Sequence, residues 1–72
     1  MMNKNLKILG LNIKAERTRK EFSQFELAEK VDASETSISN IERGLQHPSA
    51  LLVFNISKAL DVTLDDLFKG VQ

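Results

Sequence analysis

The chain has 72 residues, no cysteine and a formal net charge of zero. A chain of this length forms one domain that buries about 60% of its unfolded surface, so we expect a single domain over residues 1–72 and no effector domain. The lack of cysteine excludes disulfides and thiolate metal sites and is typical of the reducing cytoplasm. The longest apolar run, Ala50 to Phe54, is too short to cross a membrane, and no signal peptide begins the sequence, so we expect a soluble cytoplasmic protein.

The charges are unevenly distributed although their sum is zero. Residues 1–20 hold six basic residues and one acidic residue, a local charge of +5, so residues 21–72 sum to −5. Such asymmetry can make one side of a neutral protein attractive to a polyanion. A solvated basic helix explains the same pattern equally well, and both interpretations stay open at this point.

Apolar residues recur with the period of a helix, and no alternating stretch is long enough for a strand. The sequence therefore predicts an all-α bundle of about five short helices. The first helix is predicted from about Asn5 to Lys20, with Leu6, Leu9 and Ile13 on its inner face. No internal repeat or long linker divides the chain.

The second helix is predicted to start at Ser23. In "SQFE" the Ser23 hydroxyl can cap the amide of Glu26 while the Glu26 carboxylate reaches back, which is a capping box. Phe22 can staple this turn against Leu27, and Val31 ends the buried face.

The third helix is predicted in "SETSISNIERG", residues 34–44. Ile38 and Ile41 form its apolar side, Ser34 can cap its start, and Gly44 can end it in a left-handed conformation. The polar side consists of weak helix formers, each costing up to roughly 0.7 kcal/mol relative to Ala. These residues are Thr36, Ser37, Ser39 and Asn40. Helix stability alone does not explain them.

A loop around Pro48 precedes the fourth helix, which Ser49 is expected to cap. Its inner stripe is predicted to contain Val53, Ile56, Ser57 and Leu60. The chain must turn at Asp61, and "TLDD" from Thr63 predicts a short fifth helix that ends at Gly70. Its expected core residues are Leu64, Leu67 and Phe68.

The second and third helices are separated by a turn of roughly three or four residues, which is the spacing of a helix-turn-helix unit. An ordinary corner between two helices has the same spacing. Four motifs follow one another between about Leu9 and Phe68. They are "SQ" with "LA" three residues on, the Ser that opens the third helix, "I-x-x-I-E-R-G", and "AL-x-V-x-L-D-x-L-F". In these motifs the sequence resembles the Cro/C1-type helix-turn-helix family, the lambda-repressor-like or XRE family.

The resemblance implies that the helix at 34–43 lies in the major groove of DNA with its polar side toward the bases. The implied base contacts are Glu35, Thr36, Ser37 and Asn40. Asn40 can pair with adenine, the Thr36 methyl can contact thymine, and Glu35 can accept from cytosine. An ordinary solvated helix face is the alternative interpretation of these residues.

The resemblance also implies contacts to the DNA backbone and one structural ion pair. The implied backbone contacts are Ser23, Gln24, Ser39, Arg43, Gln46 and His47. In the family an Arg and a Glu at the positions of Arg17 and Glu42 pair across the helices. His47 has no second histidine, cysteine or nucleophile beside it in the sequence, so we expect no metal, cofactor or catalytic role for it.

Two residues depart from the family pattern. Asp32 stands where the family usually has a left-handed glycine, which predicts slight strain. Glu35 places a negative charge near phosphates, which suits either recognition of cytosine or discrimination against other sequences.

The resemblance implies a sequence-specific regulator of transcription that binds double-stranded DNA and represses by occupying its operator, although activation stays open. We expect a homodimer on a pseudo-palindromic operator, with no small-molecule ligand and no enzymatic activity. Apolar residues at positions that tolerate polar ones either fill the core or form a partner surface; they are Phe25, Leu45, Leu51 and Leu52. The alternative function is a protein-interaction module, such as an antitoxin or anti-repressor, which the zero net charge supports.

Overall fold

Five helices form the described part of the chain, which is residues 3–72 of a computed structural model. In chain order they are α1 (Lys4–Arg19), α2 (Gln24–Lys30), α3 (Glu35–Glu42), α4 (Ala50–Leu60) and α5 (Leu64–Leu67). Residues 3–72 contain no strand, and the predicted all-α bundle is confirmed. The predicted domain span also includes residues 1 and 2, which lie outside the described residues.

Each helix starts at a polar side chain that accepts a hydrogen bond from the backbone of the first turn. These capping residues are Asn3, Ser23, Ser34, Ser49 and Thr63. The capping box expected at Ser23 and Glu26 is present, and Thr63 forms a second one with Asp66. Each box pairs two backbone amides that the helix itself leaves without partners. Local sequence therefore determines where these helices begin.

Several helices end at a residue with left-handed backbone geometry. Gly44 follows α3 with a φ of 75°, where glycine carries no steric penalty. Acidic residues hold the same conformation after the first, second and fourth helices: Glu21, Asp32 and Asp61, with φ of 62°, 56° and 56°. The strain expected at Asp32 thus recurs at two further helix ends.

The core fills the space enclosed by all five helices. Its largest fully buried side chains are Ile13, Leu27, Ile38, Ile41, Ile56, Leu60 and Leu67. The short α5 contributes less than the sequence predicts. Leu67 is fully buried, whereas Leu64 and Phe68 are each 41% exposed, so the expectation that all three are core residues is wrong for two of them. A single helical turn can direct only one side chain straight into the bundle.

Gly10 sets the distance between α1 and α3. A methyl group here would overlap the carbonyl oxygen of Ile41 and lie 2.7 Å from that of Glu42. The missing side chain therefore lets α1 pack directly against the backbone at the end of α3. This contact fixes α3 on the bundle from its C-terminal end.

Candidate nucleic-acid interface

The helix-turn-helix unit consists of α2, a four-residue turn and α3. Asp32 reverses the chain in the turn, and the amide of Ala33 donates to the carbonyl of Ala28 at 2.9 Å. Ile38 and Ile41 anchor α3 because both are fully buried. With its apolar side fixed, α3 presents a polar side away from the core.

The four candidate base contacts lie on the polar side of α3. Glu35 and Thr36 are exposed in its first turn, while Ser37 and Asn40 are half-buried. The Ser37 hydroxyl accepts a weak hydrogen bond from the Gln46 amide at 3.4 Å. The Asn40 side chain makes no hydrogen bond to another residue within 3–72, so its amide stays available to an external partner.

Ser23 and Gln24, two candidate backbone contacts, already have partners in the chain. The Ser23 hydroxyl accepts from the amide of Glu26 at 3.0 Å, as a helix cap does. The Gln24 side chain donates to Glu42 Oε1 at 3.0 Å. The Ser23 hydroxyl is thus engaged within its cap, whereas Gln24 keeps its second N–H for a further acceptor.

The Glu42 carboxylate, at the end of α3, is the centre of a hydrogen-bond network. Arg17 donates from Nε to Glu42 Oε2 at 2.6 Å and from Nη2 to Oε1 at 3.0 Å. The remaining guanidinium nitrogen, Nη1, donates to the carbonyl of Phe22 at 2.7 Å. Three helices, α1, α2 and α3, are thereby joined through one buried carboxylate. The two-pronged geometry is the one that a guanidinium favours and a lysine cannot reproduce.

The other candidate backbone contacts surround the C-terminal end of α3. Arg43 and His47 are exposed, and Ser39 and Gln46 are half-buried. Arg43 ends the helix, and its amide donates to the carbonyl of Ser39 at 3.1 Å. The candidate base contacts therefore begin at the N-terminal end of α3, and these backbone contacts lie in its last turn or beyond its C-terminal end.

A cleft that the sequence did not predict brings several of these residues together. Gln24, Ser39 and Arg43 line it, and its volume is about 390 Å³. Lys7 and Lys14 of α1 line the same cleft, although neither is among the predicted site residues. Their spacing of two helical turns was visible in the sequence, but the position of α1 relative to α3 was not.

Residues 3–72 contain neither a cluster of metal ligands nor a membrane-spanning helix. Within this range there is no group of three or more histidine, cysteine, aspartate or glutamate residues that could hold a metal ion. No helix in the same range has the length and apolar character needed to cross a membrane.

The family of the chain follows from its match to a known family model. The model described as helix-turn-helix matches residues 13–67, which include α2 through α5 and part of α1. The chain therefore belongs to the Cro/C1-type helix-turn-helix family.

Among curated proteins, the chain is similar to the HTH-type transcriptional regulator SinR of Bacillus subtilis (strain 168). The two are 39% identical over 61 residues, which cover 83% of this chain and 55% of SinR. This chain thus spans about half the length of that relative.

Solved structures of the same fold include a controller protein and proteins bound to DNA. The restriction-modification controller C.AhdI from Aeromonas hydrophila aligns with a TM-score of 0.88 at 27% identity, covering 92% of this chain and all of that one. The P22 c2 repressor in complex with a synthetic operator aligns with a TM-score of 0.80 at 34% identity, covering 86% of this chain and 94% of that one. SinR in complex with DNA aligns with a TM-score of 0.77 at 40% identity, covering 82% and 95%.

Proposed function

We propose that this chain is a sequence-specific, double-stranded-DNA-binding regulator of transcription. The observation that carries the proposal is the polar side of α3, which is presented to solvent by a helix whose opposite side is fully buried. A helix of this kind fits the major groove and exposes short donors and acceptors to base edges. The structures of the P22 c2 repressor with an operator and of SinR with DNA support the same use of this fold.

Within this function, Glu35, Thr36, Ser37 and Asn40 contact bases. The proposed backbone contacts are Ser23, Gln24, Ser39, Arg43, Gln46 and His47. The short side chains of the first group let the helix approach the bases closely, which explains why α3 carries weak helix formers. The protein acts in the cytoplasm without enzymatic activity and represses by occupying its operator.

A homodimer is the proposed active form. Apolar side chains on α4 and α5 support it: Leu51 is 68% exposed, and Phe54, Leu64 and Phe68 are exposed as well. Leu51 and Phe54 are three residues apart on one side of α4, which packs against α5. Exposed apolar side chains that group into one patch are typical of a protein–protein contact surface. A second copy is the partner that a two-fold operator requires.

Random-site selection at low salt tests the proposal. We expect the unmodified chain to enrich one motif arranged as a pseudo-palindrome, with half-sites about one helical turn, roughly 34 Å, apart. The double variant Thr36→Ala/Asn40→Ala should enrich a weaker or altered motif, whereas the control Glu29→Ala, on the exposed side of α2, should recover the original one.

Failure to enrich any motif would overturn DNA binding and leave the protein-interaction module as the function. Footprinting and sedimentation of the complex test the dimer separately. A single asymmetric half-site bound by one copy at full affinity would overturn the homodimer alone.

A further inference from the structure

Three cationic side chains surround the cleft between α1 and the end of α3. Lys7 and Lys14 lie on α1, Arg43 is the residue that caps the C-terminal end of α3, and all three are exposed. Lys7 and Lys14 are two helical turns apart, so they project from the same side of α1. This side faces the cleft of about 390 Å³ that Gln24 also lines.

Two glycines hold the lysines at this position. Gly10 lets α1 pack against the carbonyl of Glu42, and the backbone of Gly44 lies against Lys7. A methyl group at Gly44 would be only 3.0 Å from the Lys7 Cα atom. Backbone packing therefore fixes the part of α1 that carries Lys7 and Lys14 against the end of α3.

The positive charge of the cleft is not neutralised within the described chain. None of the three cations forms an ion pair of 4.0 Å or less within residues 3–72, where the ion pairs are Arg17 with Glu42 and Arg19 with Glu16. Glu42 is the acidic side chain in the lining, and its two oxygens already accept from Arg17 and Gln24. The cleft thus concentrates three positive charges in a chain whose net charge is zero.

Gln24 adds an oriented donor to this positive cleft. One N–H of its amide donates to Glu42 Oε1 at 3.0 Å, which fixes the plane of the amide. The second N–H remains for a ligand, because a primary amide has two donors and no other bond from this group is present within residues 3–72. Cations combined with a neutral donor form the usual contact set of a phosphate group in DNA.

We propose that the cleft binds a backbone phosphate of duplex DNA, with Lys7 and Lys14 as contacts beside Gln24 and Arg43. The inference rests on the proposed DNA-binding function and extends the interface from the helix-turn-helix unit to α1. It explains how a chain of zero net charge can bind a polyanion: the charge is focused where the phosphate lies. The contact is independent of base sequence and sets the position of α3 in the groove.

The salt dependence of DNA affinity tests the cleft. The variant Lys7→Gln/Lys14→Gln removes two charges and leaves polar side chains that are only one atom shorter. Loss of the contacts to this one phosphate should reduce the slope of log affinity against log salt by about 0.9, so a fourfold rise in salt should weaken the unmodified chain about 3.5-fold more than the variant. The matched control, Lys30→Gln/Lys58→Gln, removes two charges from a different depression, between α2 and α4. All measurements use the full chain and the duplex recovered by random-site selection.

The outcomes separate this inference from the proposed function. A reduced slope in the cleft variant but not in the control supports the phosphate contact, and the selected motif should stay unchanged. Equal slopes for both variants would overturn the cleft while leaving DNA binding intact, whereas no binding of duplex by the unmodified chain would overturn both.

A free anion is the other possible occupant of the cleft. Titration of the labelled chain with inorganic phosphate, followed by amide NMR shifts, tests this source. Saturable shifts confined to the cleft, together with unchanged duplex affinity in the lysine variant, would assign the cleft to a free anion and overturn the proposal.

Discussion

Arg17 of α1 and Glu42 of α3 are joined by two hydrogen bonds, at 2.6 Å and 3.0 Å, although 25 positions separate them in the sequence. Glu42 is 4% exposed. Its carboxylate is tolerated in the core because it also accepts from Gln24 and so has three donors for its two oxygens. The pair connects the first helix directly to the end of the candidate recognition helix.

Removal of either partner of this pair should strongly destabilise the chain. Arg17→Met leaves Glu42 as a buried charge without its cation, and Glu42→Gln leaves the guanidinium unpaired. Each should lower the free energy of unfolding by about 3–5 kcal/mol, and the double variant should lose less than the sum. Urea unfolding measures all three. Additive losses below about 0.5 kcal/mol would show that the residues do not interact.

A second ion pair in the chain provides the control for that experiment. Arg19 and Glu16 approach equally closely, at 2.6 Å, but the Arg19 side chain is 62% exposed. Solvent screens such a pair, and side-chain entropy opposes it, so Glu16→Gln/Arg19→Met should cost at most about 1 kcal/mol. The contrast between the two pairs isolates the effect of burial.

Replacement of Gly10 by alanine should separate α1 from α3. The added methyl would overlap backbone oxygens, which cannot rotate away as a side chain can. We expect a loss of about 1–3 kcal/mol, the usual cost of overpacking, despite the better helix propensity of alanine. Thermal unfolding measures it. The control Ala15→Gly, at an exposed position of the same helix, should cost about 1 kcal/mol through propensity alone, and a stabilised Gly10→Ala chain would contradict the close packing.

The residues alone predicted features that depend on neighbouring positions in the sequence. Contacts between distant helices were either implied by the family resemblance, as for Arg17 with Glu42, or missed. The capping box at Ser23 and the helix start at Thr63 were predictable because the partner of each capping residue lies three residues away. The 41% exposure of Phe68 was not visible, since the apolar pattern of one helical turn does not reveal its orientation in the bundle. The lysine-lined cleft was missed for a related reason: it depends on how Gly10 sets α1 against α3.

Glu21 should be replaceable by glycine with a gain in stability. Its φ of 62° places its Cβ atom in a conformation that costs about 1–2 kcal/mol for a side chain other than glycine. The greater entropy of glycine in the unfolded chain offsets part of this, so we expect Glu21→Gly to stabilise by about 0.5–1 kcal/mol. Glu29→Gly, inside α2, should instead destabilise by about 1 kcal/mol. A loss in both variants, measured by urea unfolding, would contradict the strain at Glu21.

The two capping boxes should make stability depend on acid pH. Hydrogen bonds from the backbone and hydroxyl of Ser23 lower the pKa of Glu26 below its usual 4.5, and those from Thr63 lower the pKa of Asp66 below 3.8. A carboxyl group whose pKa is lowered by folding stabilises the fold at pH values above its pKa in the unfolded chain. This contribution is lost as the pH falls through the pKa of the folded chain. The stability advantage of the unmodified chain over Glu26→Gln/Asp66→Asn should therefore be constant above about pH 5 and shrink below it.

Urea unfolding at pH 7, 5, 4 and 3 measures this advantage. The control Glu29→Gln removes a carboxylate that caps no helix. An advantage over the capping variant that stayed constant down to pH 3 would contradict the role of these hydrogen bonds.

Asn40 and Arg43 should affect DNA binding in different ways, because one faces bases and the other faces the backbone in the proposed complex. Asn40 has an amide without a partner in residues 3–72 and can bond an adenine edge at two points, so Asn40→Ala should cost about 1–3 kcal/mol on the preferred site and relax the preference at one base pair. Arg43→Ala should weaken all duplexes alike and reduce the salt slope by about one. Titration of matched and single-mismatch duplexes at several salt concentrations distinguishes the two effects. A motif unchanged by Asn40→Ala would rule out its role as a base contact and shift sequence recognition to Glu35, Thr36 and Ser37.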